Sequence, residues 1–215
     1  FNIVVGSSNQ VLNGTNGTDN LIGNIGNDTL TGFAGNDALF GGRGNDIYVF
    51  NRGDGQDTID NLDLLTATDT LRFATGVIDT DVLAFKSGNH LAVKLKNSTD
   101  QVVIANYYAA NTTINGQAAD YKIDKVEFSN AVSWNQSMIQ TMVDRATNNK
   151  APTLGTAVPN QNSKVDVAYS FTVPVNTIVD ADVGDTVTYS LKMQDGSALP
   201  TWLSFNAATR IISGT

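Results

Sequence analysis

GTNGTDNLI–GNIGNDTLT–GFAGNDALF–GGRGNDIYV, running from Gly14 to Val49, is one nine-residue template written four times in succession. Its first and fourth places are always glycine: Gly14 and Gly17, Gly23 and Gly26, Gly32 and Gly35, Gly41 and Gly44. The sixth is Asp19, Asp28, Asp37 and Asp46, and the eighth is Leu21, Leu30, Leu39 and Tyr48. A glycine-rich disordered tract would not hold aspartate and an apolar residue at fixed places through every copy. Six residues, G-x-x-G-x-D, suffice to turn the chain if the glycines take backbone angles that other residues avoid. The remaining three form a short strand whose middle side chain, the leucine or tyrosine, points inward. Two nonapeptides close one coil, so turns 18 residues apart stack on the same side. Asp19 then lies over Asp37, and Asp28 over Asp46, at about the 4.8 Å strand spacing. Two bare carboxylates that close repel by about 3 kcal/mol at an effective dielectric near ~20.

The template resembles the calcium-binding nonapeptide of RTX (repeats-in-toxin) proteins, which winds as a parallel β-roll. The resemblance fits the electrostatics. A hard divalent cation between stacked turns cancels the repulsion, and calcium accepts the carboxylate and carbonyl oxygens such turns present. The repeat decays at both edges. Upstream, Val5–Asn13 keeps Gly6 and Leu12 but has Ser8 in place of glycine and Gln10 in place of aspartate, so a capping coil with a weak or absent site is expected. Downstream, Phe50 and Asn51 are extra, after which Gly53, Gly55, Asp57 and Ile59 of Arg52–Asp60 restore the register.

About three ions are therefore expected in the roll. One lies between Gly14–Asp19 and Gly32–Asp37, another between Gly23–Asp28 and Gly41–Asp46, and another between Gly32–Asp37 and Arg52–Asp57. The residues implied are Gly14, Asn16, Gly17 and Asp19; Gly23, Ile25, Gly26 and Asp28; Gly32, Ala34, Gly35 and Asp37; Gly41, Arg43, Gly44 and Asp46; and Arg52, Asp54, Gly55 and Asp57. Arg52-Gly53-Asp54 also matches an integrin-binding string, but its glycine and aspartate fall inside a predicted metal turn.

Composition points the same way. Of 21 acidic residues only Glu127 is glutamate; the short stem of aspartate suits tight turns and metal loops. A net charge of −8 argues against nucleic acid or an anionic membrane as direct partners. Cysteine is absent, so no disulfide braces the fold. No apolar run approaches the roughly 20 residues of a membrane helix. The chain opens at Phe1 without a methionine or apolar leader, which suggests a mature or excised piece of a longer, modular protein.

From Asn61 to about Tyr108 the apolar period changes to two, predicting strands at Thr70–Phe73, Val82–Lys86, His90–Leu95 and Gln101–Ile104, with another at Tyr121–Phe128. Ser133–Val143 predicts a helix with Ser133 as N-cap and Trp134, Met138, Ile139, Met142 and Val143 on one face. GDGQDTI followed by D-T-L-x-F is similar to the region that follows repeats in haemolysin-type proteins, and its expected role is to cover the open end of the roll.

Residues 145–152 read as a linker. Beyond it, strands are expected at Tyr169–Val173 and Val187–Leu191. Asp180-Ala181-Asp182-Val183-Gly184-Asp185, Leu199–Phe205 (LPTWLSF) and Ser213-Gly214-Thr215 together resemble the dystroglycan-type cadherin-like domain, an immunoglobulin-like β-sandwich. The resemblance implies Asp180, Asp182 and Asp185 as ligands of one more calcium. Such sandwiches run to about 100 residues, so this copy reads as incomplete, with open strand edges that favour partial disorder or pairing with a neighbour. The expected chain is all-β: a parallel β-roll with a β-rich cap and short helix over residues 1–144, then an incomplete immunoglobulin-like sandwich over 153–215.

No nucleophile, zinc or phosphate-loop motif occurs, and the single histidine, His90, begins a strand without a catalytic partner nearby. The expected function is non-catalytic: a calcium-binding module of a secreted, type I-exported bacterial protein that folds outside the cell. Two alternatives stay open. One is a surface adhesion segment contacting polysaccharide, an S-layer, a cell-surface protein or itself; the other is an accessory region of an extracellular enzyme. Binding to polysaccharide or self would favour the first, and a catalytic domain in the parent reading frame the second.

Overall fold

The computed structural model describes all residues except Phe1, Val5, Val165 and 183–186. It divides into two units, Phe1–Asn148 and Asn149–Thr215. In the first, strands alternate between two sheets. β1 (Asn2–Val4), β3 (Asn20–Ile25), β5 (Ala38–Arg43) and β7 (Gln56–Ile59) build one sheet. β2 (Val11–Asn13), β4 (Thr29–Thr31), β6 (Ile47–Phe50) and, after the short β8 (Asp63–Leu64), β9 (Thr70–Phe73) build the other. All these neighbours in the two sheets pair in parallel, as a coil returning to its own starting side requires.

The register is the 18-residue stack: Leu21 pairs with Leu39, and Leu30 with Tyr48. The eighth-place side chains fill the space between the sheets; Leu12, Leu21, Leu30, Leu39, Tyr48, Ile59 and Leu71 are each no more than 2% exposed. Strand length differs between the sides. β4 has the expected three residues, but β3 and β5 have six, because Asn24 pairs with Gly42 and Ile25 with Arg43 inside what reads in sequence as turn.

Downstream strands continue both sheets. β10 (Val82–Ser87), β11 (His90–Leu95) and β12 (Gln101–Ile104) form an antiparallel meander whose last member lies parallel to β7. β13 (Thr112–Ile114) and β14 (Gln117–Asp120) form a hairpin on β8. β15 (Lys125–Glu127) lies parallel to β9 and is followed by antiparallel β16 (Ser133–Asn135). The roll thus ends in hairpins that take up its edge hydrogen bonds. Phe50, Phe73, Phe128 and Trp134 run as a line of aromatic contacts, with ring centroids 4.6 to 6.0 Å apart, and carry the core into this cap.

Two expectations here are corrected. Ser133 is not a helix cap: Ser133 and Trp134 are strand, paired with Glu127 and Val126, because burying the indole beside Phe128 is worth more than another helical turn. The helix α1 is Gln136–Asn148; Asn135 caps it by accepting from Met138 N–H at 2.9 Å. It buries Ile139 and Val143 and leaves Met138 exposed. The strand expected over Tyr121–Phe128 is only β15 long, since Tyr121–Asp124 lead into it as irregular chain.

The second unit contains a two-stranded ladder, β17 (Thr153–Leu154) with β19 (Ile178–Val179). It also has an antiparallel sheet of β18 (Tyr169–Thr172), β21 (Ile211–Gly214) and β20 (Leu203–Asn206), with β21 in the middle. Val187–Leu191 is not a strand. Its alternation survives, with Val187, Tyr189 and Leu191 half-buried and Thr188 and Ser190 exposed, but it pairs with none of the unit's strands. The unit leaves Trp202 half-exposed, and Leu203 and Phe205 are only partly covered.

Candidate metal-binding turns

Each turn of the roll is tied to the next by its aspartate. Asp19 N–H donates to Asp37 Oδ1 at 2.8 Å, and Asp37 N–H donates to Asp57 Oδ1 at 3.0 Å on the same side of the roll. On the other side Gln10, Asp28 and Asp46 donate in turn to Asp28, Asp46 and Asp69 Oδ1, all at 2.8 Å, and Asp69 donates to Asp124 Oδ2 at 2.9 Å. The two extra residues before Arg52 are absorbed without breaking the column, so Asp57 takes the place the sequence assigns it. The fifth-place asparagines form a second ladder: Asn9, Asn27 and Asn45 Oδ1 accept from Asn27, Asn45 and Thr68 N–H, and Asn36 Oδ1 from Gln56 N–H.

The glycines act in two ways. The first-place glycines need space, not unusual angles: a Cβ on Gly23 would run into Asp28 Oδ2 and the Gly41 carbonyl. The expectation that every repeat glycine supplies an unusual angle is corrected accordingly. Fourth-place Gly44 does need the angle, with φ 137°, and a Cβ there would meet the Gly26 carbonyl of the preceding coil. The result is a turn lined by one carboxylate and by backbone carbonyls, with no room for other side chains.

This lining has an unbalanced charge. Asp28, Asp37, Asp46 and Asp57 are each no more than 2% exposed, yet Oδ2 of every one has no hydrogen-bond donor. A buried carboxylate oxygen without a partner is expensive. Burial raises the Asp46 carboxyl to about 6, aided by the charges of Asp28 and Asp63. Burial likewise raises Asp57 to about 7, with Asp37, Asp54 and Asp100 adding to the effect. Among the described residues no three histidine, cysteine or acidic side chains converge on one point. A cation here would take its remaining ligands from the carbonyls, which suits calcium and its preference for six to eight oxygens. The residues present fit such an ion.

Two members of the column escaped sequence reading. Asp69 and Asp124 sit outside any G-x-x-G turn, yet Asp69-Thr70-Leu71 and Asp124-Lys125-Val126 repeat the aspartate–x–apolar end of the nonapeptide and stack in register. Burial raises Asp69 to about 7 and Asp124 also upward. Their outer oxygens are satisfied within the protein, Asp69 Oδ2 by Asn61 Nδ2 at 2.9 Å and Asp124 Oδ1 by Gln136 Nε2 at 2.8 Å.

The other candidates separate. Asp54 is buried and accepts from Asn51 N–H and Nδ2, so the Arg-Gly-Asp string offers no free carboxylate. His90 Nδ1 accepts from Asn106 N–H at 3.0 Å, a structural bond. Asp182 N–H donates to Asp180 Oδ1, and Asp182 Oδ2 accepts from Lys150 N–H. Backbone donors thus use both carboxylates, and Asp185 lies outside the described residues.

Comparison with known proteins matches three parts of the chain to families. Residues 13–48 match the RTX calcium-binding nonapeptide repeat, in four copies. Residues 90–138 match the haemolysin-type calcium binding protein related domain, and 151–215 match a family described as "Putative Ig domain". The roll therefore carries calcium-binding repeats of the haemolysin type. The last segment matches an Ig family, and its dystroglycan-type cadherin-like likeness rests on its motifs alone. Over 98 residues, 45% of this chain, the sequence is 36% identical to the iron-regulated protein FrpA of Neisseria meningitidis serogroup C. That match spans 8% of FrpA's length. The solution structure of the AlgE6R3 subunit of the Azotobacter vinelandii mannuronan C5-epimerase is similar at 19% identity and a TM-score of 0.32, over 76% of this chain and 93% of that one. A likeness that slight carries no argument.

Proposed function

We propose that the chain is a calcium-responsive module of a secreted bacterial protein, exported by a type I route and folded by calcium outside the cell. The observation that carries this is the set of buried, stacked carboxylates whose outer oxygens lack donors at Asp28, Asp37, Asp46 and Asp57. Without a cation these turns hold like charges out of water; with one, each becomes a cross-link between successive coils. Ions are assigned between the turns of Asp19 and Asp37, Asp28 and Asp46, and Asp37 and Asp57. The carbonyls of the first, third and fourth places complete each shell. Each ion, present at 100 times its dissociation constant, adds about 2.7 kcal/mol to the folded state. Extracellular calcium modules bind at about 10⁻⁴ to 10⁻³ M, so the roll stays loose in a calcium-poor cytosol.

Binding, not catalysis, is the reading, since the one histidine is engaged by backbone. A second reading, contact with a surface, polysaccharide or another copy through residues 151–215, is favoured by the exposed Leu154, Val167 and Trp202. Circular dichroism of the full chain in chelator and then in millimolar calcium tests the main proposal. Sheet content should rise with calcium and not with magnesium; identical spectra would refute it.

A further inference from the structure

We propose that Asn16 is a site of spontaneous deamidation, in which the Gly17 nitrogen closes on the Asn16 side chain and the isoaspartate formed disables the first metal turn. Asn-Gly occurs three times in the chain, at 13–14, 16–17 and 115–116. Glycine matters in the second position because no side chain shields the attacking nitrogen. The fold tells the three pairs apart. Gly14 N–H donates to the Thr31 carbonyl at 2.8 Å, and a Cβ on Gly14 would stand 2.5 Å from the Gly32 carbonyl, so that nitrogen is locked in a crowded ladder. Asn115 and Gly116, with φ 51° and 80°, make the tight turn between the paired Ile114 and Gln117, which ring closure would break. The fifth-place asparagines are occupied as well: Asn9, Asn27, Asn36 and Asn45 each spend Oδ1 on the next coil.

Of the three pairs, Asn16–Gly17 is the open one. Both residues are exposed, and the Asn16 amide makes no hydrogen bond among the described residues. Gly17 has no left-handed φ, and the space where its Cβ would stand is empty. Its N–H is held by Thr15 Oγ1 at 3.3 Å, a longer bond than the 2.8 Å of Gly14. The nitrogen can therefore swing onto Asn16 Cγ. The N–Cγ bond forms, the Cγ–Nδ2 bond breaks, and the side-chain nitrogen leaves as ammonia with the proton from Gly17. Water then opens the imide ring at either carbonyl, giving aspartate or isoaspartate. In isoaspartate the main chain runs through the side chain and is one methylene longer. That extra atom falls inside a loop already closed, since Thr15 N–H and Oγ1 both donate to Asp19 Oδ2, at 2.5 and 2.9 Å. The consequence for metal rests on the calcium reading: the third-place carbonyl is lost to the ion between the turns of Asp19 and Asp37. Ile25, Ala34 and Arg43 hold this place in the other repeats, so the first turn alone ages in this way.

Peptide mapping by mass spectrometry follows the full chain as it is incubated in calcium at mildly alkaline pH. Asn16 should convert, chiefly to isoaspartate, several-fold faster than Asn13 and Asn115. Gly17→Ala fits the empty space and should slow conversion of Asn16 several-fold, with Asn115 of the same chain as the reference. No conversion at Asn16, or equal rates at the three asparagines, overturns the site. Aged chains should need more calcium than fresh ones to reach full sheet content by circular dichroism. An equal midpoint overturns the link between deamidation and the metal turn. Fresh chains without any calcium response would instead refute the calcium reading, while a mapped conversion at Asn16 would still establish the modification.

Discussion

Asn61 donates its side-chain amide to Asp69 Oδ2 at 2.9 Å, and at that bond the aspartate column changes character. Asp28 and Asp46, earlier on the same side, leave the equivalent oxygen bare; Asp69 and Asp124 do not. Asn61 is 2% exposed and fully used: Tyr48 Oη donates to its Oδ1 at 2.7 Å, and its Nδ2 also reaches the Lys122 carbonyl. Tyr48 Oη in turn accepts from Gly41 N–H. One neutral amide thus links a repeat turn to the cap.

Asn61→Leu should therefore damage the roll even at saturating calcium. It strands Asp69 Oδ2 and Tyr48 Oη in the interior, at about 1–3 kcal/mol for each unsatisfied group. Urea unfolding in 10 mM calcium should show the loss, roughly 2–6 kcal/mol in sum. An unchanged midpoint would mean that water or a cation replaces the amide.

Asp37 should be a more damaging aspartate to remove than Asp19. Its Oδ1 accepts from Asp19 N–H, and its own N–H donates to Asp57 Oδ1, so its turn faces two assigned ions and that of Asp19 only one. Asp37→Ala should raise the calcium midpoint of folding, read by circular dichroism, beyond the shift from Asp19→Ala. Equal shifts would contradict the assignment of an ion to the Arg52–Asp57 turn.

Protons should compete with calcium. Without metal, burial holds Asp46 at about 6 and Asp57 and Asp69 at about 7, all above the usual carboxylate value near 3.8. Groups raised in the folded state contribute stability that is fully present below about pH 4 and lost as pH rises through 6 to 7. In chelator the roll should gain sheet content on acidification from pH 8 to 5. Glu127, held low by Lys125 and then Arg72, opposes this only at the acid end. Calcium binds the ionised form, so its midpoint should move to higher concentration over the same range. A midpoint equal at pH 8 and pH 5.5 would remove the buried aspartates from the metal shell.

Much of this was legible in the residues, because the repeat states its own geometry. Leucine, tyrosine or isoleucine at the eighth place gave the core, and aspartate at every sixth gave the column through Asp57. Asp69 and Asp124 were hidden because residues 61–69 and 105–124 replace the glycine turn with longer excursions, which keep the stacking but not the spacing. Ser133 misled because a good capping residue precedes an apolar helical period, while the pull of Phe128 on Trp134 is a long-range contact no local pattern contains. Val187–Leu191 alternates as a strand does, but alternation reports which side chains are covered, not whether a ladder partner exists.

Phe33 occupies the second place of its repeat with φ 65°, where Asn24 and Gly42 take 74° and 97°. Asparagine and glycine tolerate the left-handed region; a bulky aromatic does so at roughly 1–2 kcal/mol. The ring recovers little of this, since Phe33 remains 39% exposed. The stacked turns on either side hold the backbone in place, so the strain stays in the folded roll. Phe33→Gly should relieve it, and the greater freedom of glycine in the unfolded chain should offset part of the gain, leaving about 1 kcal/mol. Urea unfolding at fixed calcium should register the increase, and the calcium midpoint should fall. Phe33→Ala is the control: alanine keeps the unfavourable φ and loses the ring, so it should gain nothing. If Phe33→Gly instead loosens the roll, the ring covers a part of the turn that matters more than the strain it causes.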